Sequence, residues 1–160
     1  MTVDMMEKVK TVGCLAPVSI STGTAVGKPI NCANYNRVRF TIYAGVIGTS
    51  GNAITVEKGT SVSLGTAIAY NYRISTSGAA AYSEMDGVRT SVANTGYTIA
   101  DGDDGKVMII DIEVLPDLGA AYPWVGVKIG ANAQGAVFSI TADCYDARYM
   151  QTSALPTAIA

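Results

Sequence analysis

The stretch Arg37-Val-Arg-Phe-Thr-Ile-Tyr-Ala44 puts Val38, Phe40, Ile42 and Ala44 on one parity and Arg37, Arg39, Thr41 and Tyr43 on the other. Successive side chains of an extended strand point to opposite faces, so this octet reads as a strand with one apolar side on a core and one polar side in water. The same period of two returns along the chain. Ile54 and Val56 alternate with Thr55 and Glu57, and Ile68, Tyr70, Tyr72 and Ile74 alternate with Ala69, Asn71 and Arg73. Met108, Ile110, Ile112 and Val114 alternate with Ile109, Asp111 and Glu113. Val125, Val127 and Ile129 alternate with Trp124, Gly126 and Lys128. Phe138, Ile140, Ala142 and Cys144 alternate with Ser139, Thr141, Asp143 and Tyr145. Val18–Ile20 and Ala25–Ile30 read as short edge strands.

Turn formers separate the runs: Gly48-Thr-Ser-Gly-Asn52, Lys58-Gly59, Ser77-Gly78, Asp101-Gly-Asp-Asp-Gly105, Pro116-Asp-Leu-Gly119 and Gly130-Ala-Asn-Ala-Gln-Gly135. Glycine supplies positive φ, and Asp and Asn supply side-chain turns, where the chain must reverse. No window of a dozen residues keeps helical spacing, and Gly78–Met85 has room for one helical turn at most. Eight or so strands with frequent reversals and no helix predict an all-β fold, an antiparallel β-sandwich of jelly-roll or Greek-key type. The 160 residues fit one domain. A chain of that size buries roughly 70% of its unfolded surface, enough for a core without staples. The sandwich is expected over 14–146, with an N-terminal arm at 1–13 and a C-terminal tail at 147–160 whose single charge is Arg148. The Ser-, Thr-, Gly- and Ala-rich stretch 75–100 breaks the alternation. A connection that long inside a domain is usually functional or packed against a neighbour.

Composition narrows the chemistry. The chain has no histidine, which removes the commonest general base and metal ligand. Its 11 Lys and Arg and 13 Asp and Glu are thinly spread, while 49% of the residues are apolar. So weakly charged an exterior suggests that a homo-oligomer or a larger assembly covers part of it. Net charge is −2 and the isoelectric point lies near 4.9, so no basic footprint for nucleic acid is present. Apolar runs such as Val107–Ile110 fall far short of the roughly 20 residues of a membrane span. The first ten residues alternate charge without an apolar core, so no secretory leader is expected. Cys14, Cys32 and Cys144 are odd in number and lack C-x-x-C spacing. They read as buried free thiols in a reducing cytoplasm, with a Cys14–Cys32 disulfide as the alternative.

Without histidine, neither a Ser–His–Asp nor a Cys–His relay can be assembled from this chain. Gly59-Thr-Ser-Val-Ser-Leu-Gly65 does not match a nucleophile elbow and reads as a turn. Asp111 and Glu113 share the polar face of one strand. Paired carboxylates can hydrolyse a glycosidic bond, but they also suit an ordinary solvated strand face. Asp101-Gly-Asp-Asp-Gly105 groups carboxylates for a cation such as Ca²⁺, without the twelve-residue spacing or final glutamate of an EF-hand. Asp-Gly pairs are also common turn chemistry. No catalytic residue, cofactor or metal is expected, and the chain reads as a non-enzyme. Candidate interface residues are Arg37, Arg39 and Tyr43 on one strand, Tyr122 and Trp124 beside Pro123, and Tyr145, Arg148 and Tyr149 near the C-terminal end. Arg37 and Arg39 are positioned to pair with Asp111 and Glu113, across strands or across subunits. Nine tyrosines and Trp124 leave stacking on sugar rings open as well.

Taken in order, Tyr35-Asn-Arg-Val-Arg-Phe-Thr-Ile-Tyr-Ala-Gly45, Ala53-Ile-Thr-Val-Glu-Lys58 and Gly105-Lys-Val-Met-Ile-Ile-Asp-Ile-Glu-Val114 form a recognisable series. Val125-Gly-Val-Lys-Ile129 and a last strand leading into a proline-containing tail complete it. The series is similar to the auxiliary head proteins of tailed bacteriophages, called decoration or cement proteins, over roughly residues 30 to 160. The likeness lies in strand order and texture and transfers no individual site residue. It implies a non-enzymatic virion protein on the capsid exterior, assembled in the host cytoplasm. Such a protein binds the major capsid protein, self-associates as a trimer or dimer, and clamps adjacent capsid subunits against internal pressure. Neither nucleic acid nor membrane is an expected partner. An extended arm and a neutral tail suit that task, since each can add a strand to a neighbour's sheet edge. The alternative is a carbohydrate- or receptor-binding β-sandwich module of a phage tail or fibre.

Overall fold

In the computed structural model, which describes residues 9–76, 87–131, 135–148 and 158–159, the alternating runs become strands of two antiparallel sheets. The strands are β1 Lys10–Ser19, β2 Ala25–Val26, β3 Ile30–Asn31, β4 Tyr35–Ile47, β5 Asn52–Gly59 and β6 Thr66–Ile68. They continue as β7 Tyr70–Ile74, β8 Thr90–Val92, β9 Tyr97–Ile99, β10 Val107–Glu113, β11 Trp124–Ile129 and β12 Ala136–Ala147. The first sheet runs β1-β12-β4-β10-β7-β8. The second runs β2-β11-β5-β6, with β3 also on β11 and β9 also on β5. Pairing is nested: β1 joins β12, β2 and β3 join β11, β4 joins β10, and β5 joins β6.

β4 is the longest strand and lies between β12 and β10. Its register sets Val38, Phe40 and Ile42 opposite Ile112, Ile110 and Met108 on one side, and opposite Cys144, Ala142 and Ile140 on the other. All nine side chains are buried. A slip of one residue in any of these strands would turn its whole apolar set into water, so the pattern fixes the register. Ile54, Val56, Val125, Val127 and Ile129 of the second sheet close the core from the other side, with Ile30 and Ile99. Each such side chain contributes about 1.5–3 kcal/mol on full burial.

Residues 75–100, read from the sequence as irregular, contain two three-residue strands among the described residues, β8 on the first sheet and β9 on the second. Three residues give too few alternations to stand out from their neighbours. Between them, Gly96 adopts φ +84°, and a Cβ there would lie 2.2 Å from the Ile54 carbonyl oxygen, so the turn needs glycine. The proposed turn at Gly78–Met85 lies outside the described residues.

β1 begins at Lys10, so four residues assigned to the N-terminal arm belong to the first sheet, with Thr11 opposite Asp143 and Val12 opposite Ala142. Val18 and Ser19 end this strand. Ala25–Ile30 divides into β2 and β3, both on β11, with Pro29, which has no N–H to donate, between them. At the other end β12 extends to Ala147, opposite Tyr35. Ala158 in the tail is buried, and its carbonyl accepts the Asn31 N–H at 2.8 Å, so this part of the tail lies against β3 of its own chain. The remainder of both expected arms, residues 1–8, 149–157 and 160, lies outside the described residues. All three cysteines are buried and free, and the alternative Cys14–Cys32 disulfide is not formed.

Candidate functional site

The outward face of the first sheet carries the polar parity of its strands. Register aligns Thr11, Asp143, Arg39, Asp111 and Asn71 in one row across β1, β12, β4, β10 and β7. Arg39 Nε donates to Asp111 Oδ1 at 2.9 Å, and its Nη1 donates to the Tyr145 hydroxyl at 3.4 Å. The guanidinium carbon lies 5.4 Å from the centroid of the Tyr145 ring. The Asp111 hydrogen bond holds Arg39 even further above its usual pKa, against the opposing effect of burial. At the far side of the row the Thr11 hydroxyl donates to Asp143 Oδ1 at 2.6 Å.

One row along, Arg37 stands opposite Glu113 on β10 and Tyr145 on β12. A wide turn over Val114–Leu118 follows β10 and brings Asp117 back, where its Oδ2 accepts the Glu113 N–H at 2.7 Å. Over β4, β10 and β7 opens a groove of about 490 Å³. Its charged wall holds Arg37, Arg39, Arg73 and Arg89, faced by Asp111, Glu113 and Asp117. Sequence reasoning picked Arg37, Arg39, Asp111 and Glu113 but missed the others. Arg73 had the right parity as a signal, whereas Arg89 lies in the irregular stretch and Asp117 in a turn.

The opposite end of the face is apolar. Tyr43 is 51% exposed and Val46 73%, and Val137 is exposed near them where β12 and β4 run together. A Cβ on Gly45 would lie 3.1 Å from the Val137 Cβ, so the two stand side by side.

The remaining predicted interface residues do not join this face as one surface. Trp124 is half-buried in the second sheet, opposite Gly59 and Asn31. Beside it the Lys58 ammonium sits 4.5 Å from the Tyr122 ring centroid and donates to the Leu118 carbonyl at 2.7 Å. Arg148 is held at the end of β12 by Asn36 Oδ1, 3.0 Å from its Nε. Tyr149 lies outside the described residues.

In the Asp101–Asp104 loop the Asp103 and Asp104 carboxylates turn to different partners of the protein itself. Asp103 accepts Lys106 Nζ at 2.8 Å, and the Tyr97 hydroxyl and Ala100 N–H at 3.1 Å each. Asp104 Oδ1 accepts the Ile47 N–H at 2.7 Å. Burial opposes ionisation of Asp103, but these hydrogen bonds and the Lys106 charge outweigh it and lower its pKa. Among the described residues no group of three or more Cys, Asp or Glu is arranged to hold a metal ion, and no helix is long and apolar enough to cross a membrane. No protein-family model and no curated protein matches the chain.

Proposed function

We propose that this chain is a non-enzymatic structural protein of a virion, a decoration protein that docks on the capsid exterior and fastens adjacent subunits. The observation that carries the reading is the exposed apolar end of the first sheet, formed by Tyr43, Val46 and Val137. A contiguous patch of that kind on a sheet suits a surface that a neighbour covers. The major capsid protein and a second copy of this chain, in a trimer or dimer, are the partners this reading assigns. Net charge of −2 favours neither nucleic acid nor an anionic membrane. Assembly takes place in the host cytoplasm on this reading, and holding power comes from many modest contacts repeated by symmetry.

Nested pairing supports the finer assignment of the sandwich to the jelly-roll type. First strand with last, second with second-last, and so inward, is the order of a long hairpin wrapped around a core. The Asp111 and Glu113 carboxylates favour a structural role over hydrolysis. They stand on one strand instead of facing each other across a cleft, and Asp111 is engaged by Arg39. Particle imaging and copy number test the proposal, because a decoration protein is present in hundreds of copies on purified heads. A second reading, a carbohydrate- or receptor-binding module of a phage tail or fibre, is favoured by one observation, the arginine-lined groove.

A further inference from the structure

We infer that the groove over β4, β10 and β7 binds an acidic saccharide, with Arg73 and Arg89 taking its carboxylate and Glu113 and Asn71 taking its hydroxyls. The inference rests on the second reading above, not on capsid docking. Four of the chain's five arginines line this groove, and no lysine among the described residues does. Arginine presents a planar fork that matches a carboxylate through two parallel hydrogen bonds, which the lysine ammonium cannot do.

The four are not equivalent. Arg39 is engaged by Asp111 and Tyr145, and Arg37 stands opposite Glu113. Arg73 and Arg89 are exposed, and among the described residues neither side chain has an ion-pair or hydrogen-bond partner. The β7–β8 ladder ends at Tyr72 opposite Thr90, so Arg73 and Arg89 are the next residues in line across the two strands. Like charges opposite one another on neighbouring strands are destabilising. An anion bridging the two guanidinium groups removes that repulsion.

The rest of the wall selects the kind of anion. A polyanion such as nucleic acid or polyphosphate would meet Asp111, Glu113 and Asp117 on the same surface. A ligand with one carboxylate and several hydroxyls meets the opposite situation. Its hydroxyl groups donate to Glu113 and to the Asn71 amide oxygen. A volume of about 490 Å³ lies within the range of small-ligand sites, roughly 300–1,000 Å³.

The test applies the full chain to an array of oligosaccharides ending in glucuronate, galacturonate or sialate, printed beside their methyl esters, with titration of any hit and of inorganic phosphate. The expected result is saturable binding of an acidic glycan, at least tenfold weaker for its ester and for phosphate. Arg73→Ala with Arg89→Ala loses tenfold or more, whereas Lys128→Ala on the other sheet stays within twofold. Arg89→Gln alone serves should the double variant fail to fold. No binding, equal binding of ester or phosphate, or an equal loss in Lys128→Ala overturns the inference. A neutral glycan bound at Trp124 with no preference for acids overturns it too, yet leaves the receptor-binding reading standing.

Discussion

The Tyr70 hydroxyl, projecting from β7 of the first sheet, accepts the Tyr97 backbone N–H of the second sheet at 3.0 Å. The same hydroxyl donates to the Ile54 carbonyl of β5, so one buried oxygen ties the two sheets together. Tyr70→Phe keeps the ring and removes both bonds, leaving a buried N–H and a buried C=O without this partner. Each unsatisfied buried group costs about 1–3 kcal/mol. Denaturant unfolding should show a loss of about 2 kcal/mol or more, whereas Tyr43→Phe, in water, should change stability by less than about 0.5 kcal/mol.

Arg39 and Asp111 are both more than a third exposed, so their 2.9 Å pair is a specificity device more than a source of stability. A double-mutant cycle with Arg39→Ala and Asp111→Ala should give a coupling of about 1 kcal/mol or less, shrinking as salt is added. By contrast Phe40→Ala, at the centre of the nine-residue inward array, should cost about 3–5 kcal/mol through lost burial and a cavity.

Burial pushes the Cys14 and Cys144 thiols from 9.0 up to about 12, and the Tyr35, Tyr70 and Tyr97 hydroxyls from 10.0 up to about 12. These groups stay neutral longer in the folded chain than in the unfolded one. Their contribution is therefore complete below pH 9, and it is lost as pH rises from about 9 toward 12, because the unfolded state ionises first. Thermal midpoints should be flat from pH 7 to 8.5 and then fall steeply. A thiol reagent at pH 8 should find all three cysteines unreactive until denaturant is added, then modify all three.

Asp103 behaves in the opposite sense. Its folded pKa lies below 3.8, so the contribution is present above about pH 4 and is lost as pH falls through the lowered value. Asp103→Asn should flatten stability between pH 4 and 2 relative to the parent, as read from urea midpoints across that interval. At pH 7 the same variant should be the less stable of the two, since Lys106 loses its ionic partner.

Much of the fold was legible because three central strands agree with one another. The inward parity of 38–42, 108–112 and 140–144 can be read from each stretch alone, and register only has to bring matching parities together. Which strand neighbours which was not legible, since alternation carries no information about its partner. The strands β8 and β9 escaped for lack of length, and β1 was cut short because bulges at Gly13/Leu15 and Leu15/Val18 spoil its alternation. The candidate site was half visible. Arg37, Arg39, Asp111 and Glu113 share polar parities on two strands, and the Arg39–Asp111 pair forms within the chain. Arg89 joins them only through the β7–β8 pairing, which has no local sequence signal, and the turn formers Pro116–Gly119 marked a reversal without showing that it brings Asp117 back to the Glu113 N–H.

Electron cryomicroscopy of purified particles that carry this protein, with its copy number taken from the same preparation, tests the structural-fastener proposal. The account predicts hundreds of copies on the outer capsid surface, seated over junctions between subunits with the Tyr43–Val137 end of the first sheet turned inward. A handful of copies at a tail or fibre tip, or heads that lack the protein while it remains a monomer in solution, would contradict it.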